Sequence, residues 1–193
     1  MNVTDRFLLL LTSPDEAMYD QYDSPHIGHA ILIVTAYALI ASLNTFLSAT
    51  IKSGSVGFSL LSFFGSFLTV YLTWAFLTIV FHLSAELWGG LGELPNVIAV
   101  VGFAAAPLVL TSVASILVTL GGAVLLPDDP DLVLSKISLI ISLVGMAWGW
   151  PGILCYYGLK NGERIHELKA MTIILLAFVA SGLYEVANSN AFE

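Results

Sequence analysis

His82 and Glu86 stand four residues apart. On a helix that spacing sets two side chains on one face, about one turn apart. An imidazole beside a carboxylate can relay a proton or hold a cation. It can equally be a hydrogen-bonded pair that pins the adjacent backbone. Glu185 is a third candidate, because it follows an apolar stretch, and an ionisable group at lipid depth marks function by default. It could answer Lys52 or Lys136, or face water at the membrane surface. His26 and His29, three apart, could be a metal pair, but convincing further ligands do not lie near them. No metal site is expected.

Other patterns lack the context their chemistry needs. Pro25-His26-Ile27-Gly28-His29 spells an ATP-binding signature of class I aminoacyl-tRNA synthetases, yet it runs directly into the apolar stretch "AILIVTAYALIASL". A nucleotide site of that kind needs a strand leading into a helix N-terminus, and no alternating strand-helix units follow. Ser24 and Pro25 read instead as the N-cap and first position of a helix. The glycine-rich "ELWGGLGEL" has two acids and no lysine, which speaks against a phosphate cradle. No Ser-His-Asp or Cys-His set suggests itself. The single cysteine, Cys155, excludes an internal disulfide and a cysteine metal cluster. The chain is expected to be non-enzymatic and to carry no cofactor.

The elements that position these groups follow from composition. Hydrophobic residues make up 58% of the 193 and charged residues 10%, where a soluble domain carries about a quarter charged. Such a chain cannot coat a globule with polar surface, so lipid is its solvent. Asp, Glu, Lys and Arg are absent between Asp23 and Lys52, Lys52 and Glu86, Glu93 and Asp128, Lys136 and Lys160, and Lys169 and Glu185. A spanning helix needs roughly 17 to 25 mostly apolar residues. Four gaps meet that length and the last falls short, so its span must reach outward at its ends or hold Glu185 in its last turn. The runs are continuous rather than alternating, which argues against a membrane barrel. Backbone groups in lipid must bond internally, and that forces helix.

The predicted fold class is therefore all-α: a bundle of five transmembrane helices with short N-terminal interfacial helices. Residues 1–28 form the preamble. Residues 29–193 form the membrane domain, with spans at about 30–51, 60–83, 97–120, 137–159 and 170–187. No cleavable signal peptide is evident. In the preamble, Ser13 reads as an N-cap, with Pro14 at the first helical position and Asp15 and Glu16 in the first turn. Both of its helices are expected to lie on the bilayer. The formal charge of −8 opposes nucleic-acid binding.

Small residues four apart let helices approach closely in lipid. Gly102 and Ala106, Gly145 and Gly149, and Ala177 and Ser181 are such pairs. They suit packing inside the bundle or between copies. Pro107 and Pro151 are expected to kink the third and fourth spans, and Trp88, Trp148, Trp150, Tyr156 and Tyr157 to anchor in aromatic belts.

The Gly89-Gly90-x-Gly92 turn, followed by a span with an aromatic-Ala-x-Ala-Pro run from Phe103 to Pro107, resembles the Yip family of Ypt/Rab-interacting membrane proteins. "LTSPDEAMYDQYDSP" is similar to the preamble of its prokaryotic members, and "YYGLKNGERIHELKAM" to the connection between its fourth and fifth spans. The resemblance covers nearly the whole chain. It implies five spans, a cytoplasmic N-terminus and a lumenal or external C-terminus. Eukaryotic members act in vesicle traffic, bind small GTPases and associate with one another. This chain lacks their long N-terminal region and Asp-Leu-Tyr-Gly-Pro motif, so small-GTPase binding is not carried over, and the prokaryotic type fits better. The expected function is a membrane organiser or adaptor that forms homo-oligomers or binds other membrane proteins. The alternative is a transporter, channel or lipid-moving protein with a polar path near His82 and Glu86.

The basic residues orient the chain in the cell membrane. Arg6, Lys160, Arg164 and Lys169 share one side of a five-span path, and Lys52 and Lys136 the other. Four to two places the N-terminus in the cytoplasm. Replacing Cys155 by serine and placing a single cysteine at Asn2 or Phe192 tests this with a membrane-impermeant thiol reagent. In intact cells the Phe192 position should label and the Asn2 position should not. Labelling at both ends breaks the odd span count.

Overall fold

The computed structural model describes residues 3–90, 93–125, 149–162 and 164–189. Among these residues every regular element is a helix: α1 (Val3–Thr12), α2 (Pro14–Asp23), α3 (Ile27–Ser53), α4 (Val56–Leu87), α5 (Leu94–Ala104), α6 (Ala106–Leu125), α7 (Gly149–Gly162) and α8 (Glu167–Ser189). Three segments are long and apolar enough to cross a membrane: Ile27–Ser53, Val56–Leu87 and Leu94–Gly121. Each contains one of the first three expected spans with a few residues to spare. Of the expected fourth span, residues 137–148 lie outside the described residues, and the rest belongs to α7. The expected fifth coincides with α8.

Local chemistry sets the helix boundaries. Gly54 closes α3 in the left-handed conformation, φ 62°, and the Ser55 side chain accepts from the Phe58 backbone N–H to start α4. One glycine and one serine thus turn the chain through an antiparallel hairpin. The third apolar segment is broken at Ala105. Pro107 has no N–H to give the Phe103 carbonyl. The backbone tightens there, with Ala105 N–H bonding to Gly102 and Leu108 N–H to Ala105. At the head of α3 the sequence reading is corrected: the N-cap is His26, not Ser24. Helix α2 runs through Asp23, and the Ser24 N–H bonds to the Asp20 carbonyl, so Ser24 ends the preceding helix.

α5 is the central post. It packs on α2, α3, α4 and α7, and Val97, Ala99, Val100, Val101, Gly102, Phe103 and Ala104 are all buried. Half of the most apolar stretch of Leu94–Gly121 is buried, against 28% for α3 and 6% for α4. The outer face of α4, from Leu61 and Phe64 to Leu83 and Leu87, is therefore left to lipid. Polar contacts tie the long helices together. Thr35 Oγ1 lies 2.5 Å from Tyr71 Oη, Thr45 Oγ1 donates to Ser66 Oγ at 3.3 Å, and Thr119 Oγ1 donates to Asn44 Oδ1 at 2.9 Å. A polar side chain in hydrocarbon finds such partners because lipid supplies none.

The preamble helices fold onto this bundle. Leu10, Ala17, Met18 and Gln21 are buried, with α2 against α5 and α7, and Asn161 Nδ2 donates to Asp15 Oδ1. Leu10, Ala17 and Met18 are covered by protein, while Leu8 and Tyr19 stay exposed.

Two glycines set the spacing around the post. A Cβ on Gly102 would stand 2.5 Å from the Ala30 Cβ and 3.1 Å from its Cα, and a Cβ on Gly158 would overlap Val100 Cγ1. Gly149 is exposed, and among the described residues a Cβ there meets nothing within 4 Å. Gly102→Leu and Gly158→Leu should each destabilise the protein by at least the ~1–3 kcal/mol of a typical overpacked core. Gly149→Leu should change it little. Thermal unfolding in detergent, followed by circular dichroism, reads the difference. Equal losses for all three would disconnect close approach from stability.

Candidate functional site

His82 and Glu86 meet on the last two turns of α4. His82 Nε2 lies 3.5 Å from Glu86 Oε1, at the limit of a hydrogen bond. The imidazole side chain is 16% exposed and the carboxylate 56%, so the pair straddles the boundary between the bundle and its surface. The other imidazole nitrogen, Nδ1, is buried without a hydrogen-bond partner. Among the described residues no group of three or more His, Cys, Asp or Glu could hold a metal ion. One imidazole and one carboxylate can share a proton; they do not make a cation cage.

Just beyond the pair, α4 ends in a Schellman turn. Gly89 takes a left-handed φ of 85°. The Gly90 N–H bonds to the Ala85 carbonyl at 2.8 Å and the Gly89 N–H to the Glu86 carbonyl at 3.0 Å. These are the two bonds that satisfy orphan carbonyls at a helix C-terminus. Gly89 has a conformational reason to be glycine. Gly92 lies outside the described residues. Lys169, at the start of α8, reaches across to donate from Nζ to the Trp88 carbonyl at 3.1 Å. A cation thereby sits at the negative end of α4. In the sequence Lys169 counts as a topology charge and as part of the connection before the fifth span; its place as the last charge before a charge-free stretch puts it at a helix start but not at Trp88.

α8 has its own start. His166 Nδ1 accepts from the Leu168 N–H at 3.4 Å, in the manner of an N-cap. Lys160 Nζ and Glu167 Oε1 pair at 2.7 Å between α7 and α8. Their hydrogen bond holds the Glu167 carboxyl below its usual range and the Lys160 ammonium above its own. The carboxylate's contribution is present above about pH 4.3 and fades as the pH falls through its lowered value. The ammonium's is complete below about pH 10.4 and fades as the pH rises through its raised value. Both groups are at the surface, so the effect is small.

The other predicted residues are dispersed. Gly102 and buried Ala106 flank the break next to Pro107. Ala177 lines a half-open cavity among the helices. Ser181 and Glu185 belong to the backbone of α8, and their side chains, like all of Gly145, lie outside the described residues. The cavity holds about 230 Å³ and is bounded by α3 through α8, with Tyr37, Trp74, Phe81, Ala105 and Cys155 among its walls. Its lining is almost wholly apolar, and His82 is not part of it.

The Yip1 domain profile matches residues 8–186. The chain belongs to the Yip1 family. That match runs from the docked preamble through the glycine turn and into α8, so every contact described above lies within the Yip1 domain. No curated protein and no solved structure matches the chain. Its apolar helices make this Yip1 member an integral membrane protein.

Two substitutions separate the turn from the pair. Gly89→Ala forces a left-handed alanine and should destabilise the protein by about 1–2 kcal/mol. Glu86→Gln keeps a hydrogen-bonding group on a half-exposed side chain and should cost less than about 0.5 kcal/mol. Detergent-phase thermal unfolding measures both. A large loss for Glu86→Gln would show that the charge itself holds the end of α4.

Proposed function

We propose that this Yip1-family protein is a non-enzymatic five-span membrane adaptor or organiser, with a cytoplasmic N-terminus and an external C-terminus, that self-associates or binds partner proteins. The observation that carries this reading is the docked preamble. Residues 1–23 hold Asp5, Asp15, Glu16, Asp20 and Asp23 against a single cation, Arg6. Their apolar residues Leu10, Ala17 and Met18 are spent on the bundle, while Leu8, Tyr19 and most of the acids remain exposed. An acidic face is repelled by anionic lipid headgroups. Held rigidly on membrane helices, it is suited to a protein partner with complementary charge.

The apolar cavity supports the same reading over ion transport, since a transport path needs a continuous polar lining. A photo-crosslinking amino acid at Tyr19 should give discrete adducts in intact cells, either with a second copy or with a partner, and one at buried Met18 should give none. Absence of adducts at Tyr19 and Leu8 removes the adaptor reading. In proteoliposomes, wild type and Glu86→Gln should show the same low proton and cation leak. A flux that depends on Glu86 would put a transporter in its place.

A further inference from the structure

We propose that two copies of this chain associate side by side in the membrane, with Arg164 of each copy paired to the acidic face of α2 on the other. This rests on the adaptor reading above and commits it to a second copy as the partner. The first observation is a stripe of acids. Asp15, Tyr19 and Asp23 follow one another at every fourth residue of α2, with Glu16 beside them, and all four are exposed. Asp15 is met by Asn161. Among the described residues no Lys, Arg or His pairs with Glu16 or Asp23.

The second observation is a cation next to that stripe. An open groove is lined by Tyr19 of α2 and by Lys160, Arg164, His166 and Glu167 of α7, α8 and their connection. Lys160 is already paired with Glu167, and His166 accepts the Leu168 N–H. Arg164 is exposed and has no carboxylate partner among the described residues. Its backbone is left-handed, φ 52°, a conformation that glycine adopts freely and other residues adopt at a cost. An arginine kept there calls for a reason in its side chain, and strained residues gather at binding sites. A guanidinium facing carboxylates across an interface supplies that reason.

The third is that the two signs lie side by side. A purely basic partner would meet the stripe and be repelled at Arg164, and a purely acidic one the reverse. A second copy related by a two-fold axis presents the same patch turned around, so acids face a cation twice in one contact. Copies inserted the same way into one bilayer are related by an axis along the membrane normal. The Asn161–Asp15 bond sets α2 beside the end of α7, so stripe and cation share one end of the bundle and can face each other across that axis. The formal charge of −8 does not prevent the contact, because exposed charges more than about 8 Å apart are largely screened at physiological salt. Tyr19, 57% exposed where the two signs meet, supplies the aromatic surface that interfaces favour.

Sedimentation equilibrium of the purified full chain in density-matched maltoside detergent tests the proposal. Wild type should be a reversible dimer that weakens as salt is raised, since ion pairs at a surface are screened. Arg164→Glu, and separately the double change Glu16→Lys with Asp23→Lys, should each weaken self-association at least about tenfold. Mixed together, these two variants should pair with each other about as tightly as wild type does with itself, since one has gained the acids that the other has lost. Arg164→Gly removes the cation and relieves the left-handed strain, so it should raise the unfolding temperature while it weakens the dimer; it decides the matter even where a charge reversal fails to fold. A monomeric wild type, a dimer indifferent to Arg164→Gly, or two folded charge-reversed variants that do not pair overturns the inference. Discrete adducts at Tyr19 with a different protein in cells, beside a monomer in detergent, overturn it and leave the adaptor reading standing. Absence of any adduct at Tyr19 and Leu8 removes that reading as well.

Discussion

Close backbone approach at α5 is the constraint on which the rest of the molecule depends. In lipid there is no hydrophobic effect between helices, because the tails are as apolar as the side chains. Packing must come from dispersion contacts and from the few polar groups that meet across an interface. Where α5 comes nearest to α3 and α7, a glycine stands on one side or the other. Gly102 lets Ala30 of α3 settle against its backbone, and Gly158 of α7 does the same for Val100. α2 and α4 then pack on the remaining surface of α5. The break at Ala105 follows from Pro107, and beyond it α6 continues along α3, where Thr119 meets Asn44.

The two ends of the bundle differ in how they are closed. At one end a single left-handed glycine and a capping serine turn α3 into α4. At the other, the Schellman turn after α4, the Lys169 bond to Trp88, the Lys160–Glu167 pair and the docked preamble gather in one region. Charges collect there because water screens and solvates them, while the apolar stretches between exclude them. The result is a polar, cross-braced surface on top of an apolar bundle, with a cavity below it that the braces do not fill.

The Yip1 family match adds membership and membrane character; it does not assign a partner. His82 and Glu86 illustrate the difference between proximity and activity. They lie 3.5 Å apart, as their spacing allows, but among the described residues no third metal-ligating group joins them. Gly89, three residues past Glu86, has a backbone role that its φ of 85° makes explicit.

The sequence by itself determined the solvent and the element type. Long gaps between charges demand lipid, lipid demands internally bonded backbone, and the first three apolar segments are helices where those gaps put them. It also carried the family, through the glycine turn and the Phe103–Pro107 run. Only the tertiary structure decided which small residues are contacts. Gly102 and Gly149 look alike in sequence, each in a small-xxx-small pair, yet one stands against Ala30 and the other meets no described residue. Periodicity marks a face that is able to pack, whereas the partner depends on helices distant in the chain. The docking of Met18 and Gln21, the reach of Lys169 to Trp88 and the cavity beside Trp74 arise the same way. Each joins residues separated by tens of positions, and no local rule of spacing or propensity encodes where they meet.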